Sequence, residues 1–210
     1  MTEEEARSAL ADVPRETFEK LQQFIAFLTA ENARQNLVSS DSLSDVWSRH
    51  ILDSAQLIRF APDAGSWLDL GSGAGFPGLV IALLHRSKVT LVESRRKRAD
   101  FLERAVDLLD LGDRAHITCA RLENLETSRF DAITARAFAP LDRLLPLAER
   151  FAAPKTRWIL PKGRNAKSEL DAVHSSWQGE FRLEPSLTDA HAQIIVAQQV
   201  RRRGKDRRAR

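Results

Sequence analysis

The run Trp67-Leu68-Asp69-Leu70-Gly71-Ser72-Gly73-Ala74-Gly75-Phe76-Pro77-Gly78 holds the residues of this chain best suited to chemistry. An apolar strand ends beside an acidic residue, a glycine-rich turn follows, and Leu79-Val80-Ile81-Ala82-Leu83-Leu84 continues as an apolar helix. α/β proteins bring their backbone against a nucleotide-like cofactor in this way. Glycine tolerates φ > 0 and leaves no side chain to collide with the ligand. Pro77 suits a first helical turn, where its missing N–H costs nothing. Two spacings overlap here. Gly73, Gly75 and Gly78 satisfy the dinucleotide pattern G-x-G-x-x-G, while Gly71, Gly73 and Gly75 satisfy the G-x-G-x-G turn of S-adenosylmethionine enzymes. In a dinucleotide site the first glycine closes the strand directly. Counted from Gly71, where this strand closes, the third glycine position is Phe76. That departure favours S-adenosyl-L-methionine, and Asp69 agrees, since a carboxylate suits the cationic ammonium of a methionine group. A nicotinamide-dependent oxidoreductase stays open.

Four further constellations fall at strand ends. Glu93 closes the second predicted strand, where an acidic residue accepts hydrogen bonds from ribose hydroxyls. The bland alternative is an acidic cap on the basic helix start Arg95-Arg96-Lys97-Arg98. Arg121-Leu122-Glu123 follows the third strand, where a backbone amide and a carboxylate can read an adenine edge, or simply form a surface pair. Arg136 follows the fourth strand at the switch point. It suits a methionine carboxylate or a phosphate, or else pairs with Asp131 or Asp142. Lys162 and Arg164 follow the fifth strand and offer two cations to RNA phosphates, or to solvent. In the N-terminal region, Arg49 and Asp53 are spaced for an i,i+4 pair worth ~0.3–0.5 kcal/mol. His50 shares the apolar face there and reads as a satisfied buried histidine.

Strand–helix alternation positions these residues. Leu21, Phe24, Ile25 and Leu28 form one stripe of a helix beginning near Pro14. A second helix near Ser42 carries Leu43, Val46, Trp47, His50 and Ile51 and ends at Ala61-Pro62. These make an N-terminal helical cap over residues 1–62. Strands are predicted at 66–70, 89–93, 116–120, 130–134, 157–160, 180–183 and 193–197. Helices are predicted at about 77–85, 98–111 with Gly112 as its stop, from 140 onward, and 166–175. The pattern predicts a mostly parallel, doubly covered sheet over residues 63–200, with ligands at its carboxyl ends.

Composition narrows the class. Of 210 residues, 43% are apolar and 29% charged, as in one ordinary domain. No apolar run is long enough for a membrane span. The acidic start Met1-Thr2-Glu3-Glu4-Glu5 is no signal peptide, so the expected compartment is the cytoplasm. Cys119 is read as a small buried hydrophobe, and no Cys/His spacing suggests a metal. The net charge is +3, yet residues 201–210 alone contribute seven basic side chains and one acidic, leaving the rest acidic. That segment is expected to be a disordered basic tail, either an arm for nucleic-acid phosphates or a solvated terminus.

The chain resembles the bacterial small-subunit ribosomal RNA methyltransferase G family, also called glucose-inhibited division protein B. The matching residues are Asn36-Leu37, Trp47-x-Arg49-His50-Ile51-x-Asp53-Ser54, Asp69-x-Gly71-Ser72-Gly73-Ala74-Gly75-Phe76-Pro77-Gly78, Arg121-x-Glu123, Arg136-Ala137-Phe138-Ala139 and Lys162-Gly163. The basic tail is not part of that signature. The resemblance implies a class I S-adenosylmethionine-dependent methyltransferase fold, Rossmann-like with a seven-stranded sheet and a helical cap. It implies methyl transfer to N7 of a guanine in the decoding-region loop of 16S rRNA, free or in a small ribosomal subunit precursor. It implies cofactor contacts at Gly71, Phe76, Leu122, Glu123 and Arg136, to which the reading of the turn and strand ends adds Asp69, Gly73, Gly75 and Glu93. Leu122 departs from the alanine of many relatives, which a backbone contact would not sense. Substrate contacts are expected at Arg49, His50, Arg136, Lys162 and Arg164. A monomer without metal or a general acid–base pair is expected. A methyltransferase with another substrate and a non-catalytic RNA-binding protein remain as rivals.

Overall fold

The computed structural model describes residues 1–204. Its centre is a seven-stranded sheet of order β3-β2-β1-β4-β5-β7-β6. The strands are β1 (Ser66–Leu70), β2 (Lys88–Glu93), β3 (Ala115–Cys119), β4 (Phe130–Thr134), β5 (Ala152–Gly163), β6 (Trp177–Pro185) and β7 (Gln193–Arg202). The first five run parallel, and β7 pairs antiparallel with both β5 and β6. The chain order reverses between β1 and β4, which makes the crevice at their carboxyl ends the switch point where ligands bind in such sheets. The class read from the sequence is therefore the observed one.

Helices cover both faces. The N-terminal region holds α1 (Glu3–Ser8), α2 (Arg15–Gln35) and α3 (Ser40–Ser44), then a wide helical turn Trp47–Leu52, α4 (Asp53–Ala55) and a 3₁₀ turn Gln56–Phe60. α2 buries Leu21, Phe24 and Leu28 and ends at Asn36, whose φ of 46° is the left-handed stop. These helices share one core with α5 (Gly78–Leu84) and α6 (Arg96–Leu108), which lie on the face carrying Trp67 and Leu91. The other face, with Leu68, Leu70 and Trp158, is covered by α7 (Leu141–Ala148) and α8 (Ala166–Val173).

Several local expectations need correction. Asp110, not Gly112, takes the left-handed φ of 52° after α6, and Leu111 N–H then bonds back to the Val106 carbonyl. Cys119 is exposed, because β3 is an edge strand. The basic segment expected from residue 201 loses its first residues to the sheet. β7 runs through Arg202, and Arg203 N–H donates to the Ser176 carbonyl at 2.9 Å. Residues 205–210 of that expected tail lie outside the described residues. No described helix is long and apolar enough to cross a membrane.

Candidate active site

The glycine turn is built by three left-handed residues, with φ of 71° at Gly71, 53° at Gly73 and 91° at Gly75. Only glycine enters this region without strain. Gly71 and Ser72 donate N–H bonds to the Val92 carbonyl at 2.9 and 3.0 Å, so the turn is hung on the end of β2. Gly78 serves packing instead. A Cβ there would lie 2.7 Å from Asp69 Oδ2 and from Leu91, so the missing side chain lets α5 close on the sheet.

Two acidic residues hold the turn. Glu93 is buried and accepts N–H bonds from Gly73 at 3.1 Å and Arg95 at 2.8 Å. It thus ties the turn to the backbone just ahead of α6, and the helix has no side-chain cap. Each oxygen still has a free lone pair for a ribose hydroxyl. Asp69 differs from expectation. It is sealed beneath the turn at 0% exposure, with Oδ2 accepting the Gly78 N–H at 3.1 Å. A cofactor ammonium cannot touch it there, so its action on a ligand passes through the turn it fastens. Burial pushes its carboxyl up to about 6. Among the described residues Asp69 Oδ1 and Thr134 Oγ1 have no partner, and the two residues sit in register on β1 and β4.

Arg136 ties the cap to the sheet. Its Nη1 donates to the Arg49 carbonyl at 3.0 Å and to Asp53 Oδ2 at 3.4 Å, and its Nη2 to His50 Nδ1 at 2.9 Å. The guanidinium lies 5.1 Å from the Phe76 ring centroid, and His50 stacks on that ring at 4.7 Å. A guanidinium only donates, so Nδ1 accepts and the His50 proton sits on Nε2, which has no partner among the described residues. Burial, with the charges of Arg136 and Arg49, pushes His50 down to about 3 and keeps it neutral. Burial also pulls Arg136 downward, opposed by Asp53.

These contacts revise several expected roles. The Arg49–Asp53 pair does not form. Asp53 instead takes Arg136, the Thr188 hydroxyl at 3.0 Å and the Gln56 amide at 2.9 Å. Arg136 pairs with neither Asp131 nor Asp142, and Asp131 caps the start of β1 through Gly65 and Ser66. The Phe76 ring is buried against Phe24, His50 and Arg136, and Leu122 is likewise in the core. Any ligand contact at these two positions is through backbone. Lys162 is not a free cation. Its side chain is 8% exposed, pairs with Glu169 at 2.9 Å and donates to the Ala139 carbonyl at 2.7 Å. Glu123, Arg49 and Arg164 are exposed.

Sequence reasoning gave no role to three residues that shape the site. Glu3 accepts N–H bonds from Trp47 and Ser48 at 3.0 and 2.8 Å and pins α1 to the cap. The Thr2–Glu5 capping box is a readable signal for that helix. Thr188 reaches Asp53 from the β6–β7 connection, and Phe138 lies on Gly71. A cavity of about 770 Å³ opens beyond Phe138, lined by Asp53, Arg136, Phe138, Lys162, Thr188 and Gln193 among others but not by the turn glycines, Glu93, Leu122 or Glu123.

The sheet order and a left-handed glycine turn at the switch point define a methyltransferase-type Rossmann fold. Solved structures agree. An O-methyltransferase from Bacillus cereus in complex with SAH aligns at a TM-score of 0.62 with 16% identity, over 90% of this chain and 93% of that one. A ribosomal protein L11 methylase from Lactobacillus delbrueckii subsp. bulgaricus aligns at 0.57 with 16% identity, over 73% and 78%. Residues 17–195 match the family model described as rRNA small subunit methyltransferase G, and the chain belongs to that family. A ribosomal RNA small subunit methyltransferase G from Rhizorhabdus wittichii is 54% identical over 100% of this chain and 99% of its own length. One from Zymomonas mobilis is 50% identical over 95% of both.

Proposed function

We propose that this chain transfers a methyl group from S-adenosyl-L-methionine to N7 of a guanine in the decoding-region loop of 16S rRNA. The observation that carries the reading is the turn Gly71-Ser72-Gly73-Ala74-Gly75, left-handed at each glycine and standing at the β1/β4 switch point in a member of this family. The residues present suit the cofactor. Gly71 and Gly73 open the backbone to it, and Glu93 offers lone pairs to its ribose. Leu122 and Glu123 flank the third strand end, where its adenine would lie. Arg136 has five N–H donors, three of which are engaged, and the remaining two suit a carboxylate.

The cofactor supplies an electrophilic sulfonium methyl group. Guanine N7 would offer that group a lone pair, and the positive charge would pass from the sulfur to the purine. N7 carries no proton at neutral pH, so no base is needed. What the protein must provide is orientation and a suitable field. A neutral His50 buried against Phe76 and bonded to Arg136 is consistent with that demand. Its role is to hold Arg136, not to move a proton.

The substrate would be the 16S rRNA alone or in a small ribosomal subunit precursor, met by a monomeric cytoplasmic protein. Major-groove edges of paired RNA are hard to reach, which favours a loop. Mass-spectrometric mapping of methylated guanines in 16S rRNA, from cells with and without the protein, tests the proposal. Loss of one 7-methylguanine in the decoding-region loop is expected. An unchanged map overturns the reading.

A further inference from the structure

Phe138 has no part in the function argued above, yet its placement is not accidental. The exposed large hydrophobic side chains among the described residues are Met1, Leu108, Phe138 and Leu187, and only Phe138 is aromatic. Isolated apolar side chains on a surface are ordinary, but this one stands on a braced loop. The preceding Ala137 has φ of 52°. That region costs a residue with a side chain about 1–2 kcal/mol and persists only where the surroundings impose it. On one side Arg136 is fastened to Asp53, His50 and the Arg49 carbonyl. On the other, buried Lys162 holds the Ala139 carbonyl at 2.7 Å and pairs with Glu169, which itself accepts the Leu141 N–H at 2.8 Å.

The ring is held at a particular place. A Cβ built on Gly71 would lie 2.5 Å from Phe138 Cδ2, so the ring rests on the first glycine of the turn. The same side chain lines the cavity of about 770 Å³, together with Pro140 and Pro161. Phe138 therefore stands at the boundary between the turn that receives the methyl donor and the space open to an acceptor. A purine presented to that boundary needs a flat apolar surface that fixes its plane and leaves its N7 edge free. An aromatic face supplies this without reading sequence.

We propose that Phe138 is the stacking platform for the target guanine, holding the base at the mouth of the cavity with its N7 edge toward the glycine turn. The proposal rests on the rRNA guanine reading and adds to it a residue that positions the acceptor.

The test uses the full chain and four variants, Phe138→Ala, Phe138→Leu, Phe138→Tyr and Phe138→Trp. Three quantities are read: affinity for S-adenosylhomocysteine by calorimetry, affinity for 16S rRNA and small subunits from cells lacking the protein, and kcat/KM for their methylation. Phe138→Ala and Phe138→Leu are expected to lower kcat/KM and RNA affinity by about 5- to 150-fold, the range that base–aromatic stacking spans. Tyr and Trp should retain most of both. S-adenosylhomocysteine affinity should stay near wild type throughout. A fully active Phe138→Leu variant overturns the proposal, since apolar bulk alone would then suffice. A change in S-adenosylhomocysteine affinity that accounts for the loss also overturns it, because the ring would then be a wall or plug of the cofactor crevice. A wild-type protein that methylates neither rRNA nor subunits removes the underlying reading, which separates that failure from failure of the stacking role alone.

Discussion

At the scale of single residues, the turn and two buried titratable side chains near it give two tests. Gly71→Val adds a side chain at φ of 71° and drives it into the Phe138 ring. The left-handed conformation should cost about 1–2 kcal/mol of stability. Calorimetry should find S-adenosylhomocysteine binding abolished while circular dichroism retains the fold. Wild-type affinity would make the turn purely structural. Asp69 and His50 give a pH test. The Asp69 carboxyl is held near 6 against an ordinary 3.8, so its contribution to stability is full below about pH 4 and is lost as pH rises through 6. His50 is held near 3 against 6.5, so its contribution is present above 6.5 and lost as pH falls toward 3. The two slopes oppose each other. Asp69→Asn removes one of them and should make stability rise more steeply with pH between about 4 and 6. The difference from wild type should change by at most about 3 kcal/mol across that window. Urea midpoints for both proteins over this range decide it, and parallel curves would place Asp69 in an ordinary environment.

At the scale of elements, the loop after β4 is set by ties to α4, β5 and α8, and those ties are open to mutation. Lys162→Met keeps the length of the side chain but removes the ammonium that joins Glu169 to the Ala139 carbonyl. Stability should fall by about 1–3 kcal/mol, the usual penalty for leaving a buried polar group without its partner. Amide exchange should quicken over residues 137–141. Unchanged stability with a shallower salt dependence of RNA binding would return Lys162 to the phosphate role expected from sequence. That expectation shows where local pattern stops being informative. The glycine turn, the parallel sheet and the stripe on α2 are contiguous or periodic, and so are legible in the sequence. The partners of Arg136 and Lys162 are not. Asp53 lies 83 positions from Arg136, and the Ala139 carbonyl belongs to another loop, so only the folded chain brings them together. The i,i+4 spacing of Arg49 and Asp53 misleads for the same reason: a buried guanidinium following β4 competes better for that carboxylate than an exposed neighbour does. The sequence pattern limits β5 to 157–160 because Pro154, Lys155 and Pro161 interrupt its apolar run, yet pairing with β4 and β7 carries it from Ala152 to Gly163.

At the scale of the whole molecule, the direction of β7 decides what the C-terminal charge can do. The strand begins at Gln193 beside the cavity and runs antiparallel to β5, so Arg202 lies toward the opposite end of the strands, where the parallel set begins. Ten residues of strand span about 33 Å. Gly204, the last described residue, lies with Arg202 and Arg203 beside Ser175, Ser176 and Trp177. The four basic side chains after Gly204 suit RNA phosphates, contacts that add affinity without reading bases. The truncation that tests this must spare the strand. Arg202 pairs with Glu149 at 3.3 Å, and Arg203 donates to the carbonyls of His174 and Trp177, so cutting at residue 201 would confound charge with unfolding. Ending the chain at Gly204 removes Lys205, Arg207, Arg208 and Arg210 with Asp206. RNA affinity should then fall, and the slope of log affinity against log salt should shallow by about 0.7–0.9 for each phosphate that the segment neutralises in the full chain. Affinity for S-adenosylhomocysteine and the position of the methylated guanine should not change, because β1 to β4 and the loop carrying Phe138 are untouched. Superimposable salt slopes for the two chains would mean that the segment is solvated and that RNA binding rests on the cavity rim alone.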